Sequence, residues 1–198
     1  MTSAVFSSTG QALHVSFLME VLPMSQKGGT QLVIESLKRR YARADDHGPG
    51  SLNADGLSPI ELRGQCAMVR GSVDHHLTEP ERAAVWARHG HQVRKATGVV
   101  GLSAYLAPLV AMRHGDALRA LTWSVFAPLT TGRDRRGRAA DWTLRKIERA
   151  YGVPKSTLHD ARLTLRHHAH YLERAAEARL QELFERTGLI EVNEEIAA

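Results

Sequence analysis

The chain has 198 residues, 43% hydrophobic and only 6% aromatic, with a formal charge of +5 and a pI near 9.7. That length can bury a core as one large or two small domains, and the charge leans mildly toward polyanionic partners. A single cysteine, Cys66, excludes an intrachain disulfide and a Cys-based zinc finger.

Ala, Leu, Arg and Glu dominate and β-branched runs are scarce, so an all-α fold is expected. The first residues, "MTSAVFSSTGQALH", carry no Lys or Arg and lack the basic start of a secretory signal. Residues 11–22 read as a short helix or a buried strand, a choice their apolar pattern leaves open. "PMSQKGGT" breaks the chain, its Gly pair reading as a turn, and "QLVIESLKRRYARA" follows with partial helical spacing. "DDHGPGSLNADG" is the most linker-like stretch, which places a boundary near residue 50. The expected organisation is an N-terminal segment 1–50 of unassigned role and a helical domain 51–198.

Two helix starts are then legible. Ser58, Pro59 and Glu61 form one capping signature, with Leu57 and Leu62 positioned as a staple; Thr78, Pro80 and Glu81 form a second. The first helix carries Leu62, Cys66, Val69 and Val73 on one stripe, and the second carries Ala83, Val85 and Trp86 and ends at Gly90. A helical hairpin is expected from Leu102 to Phe126, with Gly115 ending one helix, Asp116 capping the next and Pro108 kinking or shortening the first. Residues 99–130 are the most apolar region, but Pro108, Arg113, His114, Asp116 and Arg119 interrupt it too often for a membrane span. A soluble, cytoplasmic protein without membrane association is therefore expected.

After the polar, Arg-dense "TTGRDRRGRAAD", a helix over "LRKIERAY" meets a turn and a long helix-forming run ending at Gly188. Leu158, Leu165, Leu172, Ala176, Leu180, Leu183 and Phe184 form its apolar stripe, which either packs on the insert helices or pairs with a second copy. "RHHAHY" marks a candidate break. The acidic tail "EVNEEIAA" closes the sequence.

"LRKIERAYGVPKSTLHDARL" meets the physical needs of a helix-turn-helix at about residues 143–166. Leu144, Ile147 and Tyr151 supply an inward face, Gly152 a residue tolerant of positive φ, Val153 a plug, and Leu158 and Ala161 the partner face. Lys155, Ser156, His159 and Asp160 are then candidates for base edges. Thr157 suits a phosphate at the helix N-terminus. Arg133, Arg135, Arg136, Arg138, Arg145, Lys146 and Arg162 are candidates for phosphates. From Arg133 to Arg166 there are ten cationic side chains against four acids, a local excess larger than the whole chain's +5. Such clustering is the footprint of phosphate contact. The plainer alternative is a helical hairpin with a Gly turn beside a solvated Arg-rich linker.

"GVPKSTLHDA" resembles the turn and recognition helix of bacterial helix-turn-helix regulators and of sigma-factor region 4. "LTEPERAAVWARHG", through Leu77, Glu81, Arg82, Arg88 and Gly90, resembles the segment that precedes the reading unit there. Together with "GQCAMVRGSVDHH", these blocks resemble phage antitermination proteins of the Q type. The resemblance implies a regulator that binds double-stranded DNA and engages RNA polymerase as a monomer or homodimer. The sequence departs from the pattern in two places. Residues 92–141 separate the blocks, and Glu148 occupies an inward position where a small residue is usual, so that the helices splay or Glu148 turns outward.

The alternative is a phage DNA-packaging protein, small-terminase-like, that oligomerises through the last helix. No catalytic residue, cofactor or metal is expected. There is no Gly-x-Ser-x-Gly elbow, Walker loop or dinucleotide fingerprint. The pairs His75-His76 and His89/His91, and the trio His167, His168 and His170, lack metal-site spacing.

Overall fold

The structure, a computed structural model, describes residues 4–21, 57–110, 112–126 and 143–190. These residues fold as an all-α protein of seven helices. They are α1 (Thr9–Val21), α2 (Pro59–His76), α3 (Glu79–His89), α4 (Gln92–Leu106), α5 (Gly115–Phe126), α6 (Leu144–Tyr151) and α7 (Lys155–Arg186), with a 3-10 turn at Ala107–Leu109. They divide into two compact units, and α7 contributes to both, changing unit after Ala176. The linker-like residues near 50 and the Arg-rich loop lie outside the described residues.

In the first unit the stretch that left helix and strand open is a helix. α1 shows no clear apolar face because it is covered almost all round: Ala12, Leu13, Val15 and Phe17 are fully buried. It packs on α2, so described residues on both sides of the break near residue 50 belong to one body. α2 begins as its sequence indicates. The Glu61 N–H donates to Ser58 Oγ at 3.3 Å while the Ser58 N–H donates to Glu61 Oε2 at 2.7 Å. Those bonds from Ser58 hold the Glu61 carboxyl below its ordinary range.

Leu62, Cys66, Val69 and Val73 form the buried stripe of α2, and burial pushes the Cys66 thiol up, as suits a core-filling cysteine. Arg63 Nη1 donates to the Met19 carbonyl at 3.1 Å. That carbonyl is one of the acceptors the last turn of α1 leaves open, and a cation there also suits the helix dipole. Arg70 Nη1 donates to the Ser16 carbonyl at 2.6 Å.

The same unit takes in the end of α7. Gly188 adopts φ +70, the Gly188 N–H donates to the Glu185 carbonyl and the Leu189 N–H to the Phe184 carbonyl. This is a Schellman motif with its apolar contact residues, Phe184 and Leu189, both buried. The Phe6 N–H then donates to the Leu189 carbonyl at 3.0 Å, and Phe6 pairs in parallel with Ile190.

In the second unit the Thr78 N–H donates to Glu81 Oε2 at 2.9 Å at the start of α3, and Glu81 is buried there. α3 ends at Gly90, whose N–H donates to the Trp86 carbonyl. The expected hairpin is present but longer: α4 starts at Gln92 rather than Leu102. Gly98 and Gly101 interrupt its apolar pattern in the sequence, yet Gly98 is where α4 crosses α3 most closely. A Cβ there would lie 2.5 Å from the Ala87 N and 2.7 Å from the Ala83 carbonyl oxygen. Pro108 shortens α4, which stops at Leu106 and passes into the 3-10 turn.

Gly115 opens α5 instead of closing the helix before it. The His114 carbonyl accepts the Leu118 N–H at 3.0 Å, so Asp116 sits inside the first turn, where its charge suits the dipole and pairs with Arg119. α7 runs unbroken through the His-rich stretch, about 48 Å at 1.5 Å per residue. Leu158, Ala161, Leu165, Ala169 and Leu172 share one core with Leu102, Leu106, Leu118, Leu121 and Phe126. The stripe of α7 in this unit therefore packs on the insert helices.

Candidate nucleic-acid interface

The α6–α7 corner follows from a few residues. Thr143 opens α6, its Oγ1 accepting the Lys146 N–H at 3.3 Å. Ile147 faces inward and is fully buried, while Leu144 and Tyr151 pack partly buried against the same core. Gly152 takes the left-handed conformation, φ +68 and ψ 16, and its N–H closes on the Glu148 carbonyl. A residue with a Cβ is strained in that region. Val153, 9% exposed, fills the space behind the turn, and α7 starts two residues later with Leu158 fully buried.

Glu148, the departure noted in the sequence, has a structural use. Its side chain is half-buried and Oε1 accepts the Lys155 N–H at 3.2 Å. The carboxylate thus satisfies an orphan donor at the start of α7, whose first turn contains no acid of its own. Glu148→Ala is expected to destabilise the second unit by about 0.5–2 kcal/mol, the usual loss of a helix cap. Glu148→Gln keeps an accepting oxygen and should recover most of it, as read by urea unfolding.

The first turns of α7 present polar side chains to solvent. Lys155, Ser156, His159 and Asp160 are exposed, and Thr157 is half-exposed. Arg145 and Lys146 are exposed on α6. Arg162 differs from its expected role as a free phosphate contact. It is half-buried, its Nε lies out of solvent without a hydrogen-bond partner among the described residues, and burial, then Arg166, pushes its guanidinium down. Arg133, Arg135, Arg136 and Arg138 lie outside the described residues.

The chain matches no known family and no curated protein.

The second block of the resemblance is occupied structurally. Glu81 holds the start of α3, and the Arg82 and Arg94 guanidiniums each lie 5.4 Å from the Trp86 ring centroid, a cation–π arrangement. Arg88 pairs with Glu173 at 3.9 Å. Beside it, burial and then Arg88 push the half-buried Lys95 ammonium down. Among the described residues, no group of three or more His, Cys, Asp or Glu is disposed to hold a metal. Nor is any helix among them long and apolar enough to cross a membrane.

Two features escaped the sequence-based expectation. One is the capping role of Glu148, which a search for acids seven residues before a reading helix would have flagged. The other is the outer face of α7 beyond Asp160. Its signal was present as an acid-free run of Arg and His from residue 161 to residue 172.

Proposed function

We propose that the chain is a DNA-binding transcription regulator that reads double-stranded DNA through α6, the Gly152 turn and the first turns of α7. The observation that carries this is the corner itself. A left-handed Gly and a buried Val set two helices against each other, and the second starts with an exposed polar turn flanked by Arg145 and Lys146. Lys155, Ser156, His159 and Asp160 face base edges, while Arg145, Lys146, Thr157 and the loop arginines Arg133, Arg135, Arg136 and Arg138 hold phosphates. Action with RNA polymerase, in the manner of phage antitermination proteins, rests on the sequence resemblance. The packaging alternative requires a free apolar stripe on the last helix, and from Leu158 to Leu172 that stripe is buried within the chain.

Selection from a random DNA pool should enrich a defined sequence; an unenriched pool removes the specific-regulator reading. Replacing Lys155 and His159 together by Ala should reduce discrimination between selected and unselected duplexes, by about 1–3 kcal/mol per lost base contact. Changing Arg135 and Arg136 should instead weaken all duplexes alike and flatten the salt dependence by about 1 per phosphate contact. Capture of RNA polymerase by the full chain tests the antitermination component separately.

A further inference from the structure

We infer that Arg166, His167 and His170 form a second row of phosphate contacts, gripping the duplex backbone on the far side of the groove that the start of α7 reads. This rests on the DNA-reading function proposed above. Ser156, His159, Leu163, Arg166, His167 and His170 follow one another at three- and four-residue steps, with Arg166 beside His167, and so share one helix face. All six are exposed. The face is the one opposite the buried stripe of Leu158, Ala161, Leu165, Ala169 and Leu172. Whatever meets the base-reading turns therefore also meets this row.

Its position along the helix fits a duplex. From Ser156 to His167 a helix advances roughly 16 Å at 1.5 Å per residue, and the major groove is about 12 Å wide. A helix whose first turns reach base edges consequently carries His167 and His170 to the opposite backbone. Leu163, 53% exposed, lies between the two rows, where apolar contact with sugar or a thymine methyl suits it.

The charge pattern points the same way. No acid occurs from residue 161 to residue 172. The nearest acids along α7 are Asp160, at the base-reading end, and Glu173, which is paired with Arg88 of α3. The other charged or titratable neighbours on α7 carry no negative charge near neutral pH: Arg162, Arg174, the phenol Tyr171 and His168, whose ring meets that of His167 edge-on at 5.7 Å. An acid-free Arg/His face is complementary to a polyanion.

Histidine also gives this row a signature that arginine contacts lack. An imidazole changes charge between about pH 5 and 8, and a phosphate beside it favours the protonated form. Affinity should therefore rise as pH falls, and the number of displaced counterions should rise with it.

The experiment is salt titration of duplex binding by the full chain, with a mixed-sequence DNA duplex as probe, at about pH 6 and about pH 8. The slope of log K against log salt should steepen by about 1–2 at the lower pH, near 0.9 for each phosphate neutralised. The H167Q/H170Q variant should lose the extra slope at the lower pH. R166Q should lower the slope by about 1 at both. These residues are exposed, so unchanged thermal midpoints check that folding is intact. Equal wild-type slopes at the two pH values, or a pH-dependent slope that survives in H167Q/H170Q, overturns the second row while leaving the base-reading turns standing. Absence of duplex binding by the wild type at both pH values overturns the row together with the DNA-reading function beneath it.

Discussion

Leu165→Ala is expected to destabilise the second unit by about 2–5 kcal/mol without changing the mass of the particle in solution. Leu165 is fully buried, in one core with Leu102, Leu106, Leu118, Leu121 and Leu158. Truncation removes the transfer free energy of the lost methyl and methylene groups and leaves a cavity between α7 and the insert helices that can only partly collapse. The exposed neighbour Leu163 provides the contrast: Leu163→Ala should stay within about 0.5 kcal/mol, as surface changes do. Denaturant unfolding checks the energies and sedimentation the mass. A fall in mass on Leu165→Ala would show instead that the stripe joins copies of the chain, as the packaging alternative requires.

The second large effect runs against helix propensity. Replacing Gly by Ala inside a helix ordinarily stabilises it by roughly 0.5–1 kcal/mol. That is the expected result at Gly71 in α2, where an added Cβ meets nothing within 4 Å. At Gly98 the sign should reverse. The nearest atoms there are the Ala87 N, the Ala83 carbonyl oxygen and the Trp86 carbonyl carbon at 2.5, 2.7 and 3.0 Å. All three belong to the α3 backbone, which cannot swing aside as a flexible side chain does. α4 must withdraw from α3, and overpacking of this kind costs about 1–3 kcal/mol. Thermal unfolding of the two single variants should therefore move the midpoint in opposite directions. A Gly98→Ala protein as stable as the wild type would mean that the α3–α4 crossing is looser than described.

The same glycine shows why part of the fold was hidden in the sequence. Ser58 and Thr78 signalled their helix starts because a cap is a local arrangement, complete within four residues. Gly152 and Val153 were legible for the same reason. Gly98 gave no such local signal because its use is non-local: α3 supplies the reason for a missing side chain, and nothing in α4 itself does. The start of α4 was consequently placed too late. α1 offered no period because it is covered on nearly every side, which removes the polar face that tells a helix from a strand. Gly115 and Asp116 were each shifted by their position, since His114 rather than Asp116 precedes the first turn of α5.

The candidate site divides in the same way. The polar residue types at the start of α7 are legible along the chain itself, whereas the cap from Glu148 depends on a fold-back across the turn. The half-burial of Arg162 depends on its place at the edge of the core, which a charge tally does not register.

Pairing of Phe6 with Leu189 and Ile190 bears on synthesis. Residues 78–176 form a unit drawn from one continuous stretch, so it can complete itself as soon as that stretch leaves the ribosome. The other unit draws on both ends of the described chain, and its first helices must wait, with apolar surface uncovered, until residues 177–190 arrive. Contacts this distant in sequence slow folding, and waiting intermediates with exposed apolar surface are prone to aggregate. Slow translation or early truncation should therefore damage the Phe6 unit first, while the unit that carries the α6–α7 corner is already formed.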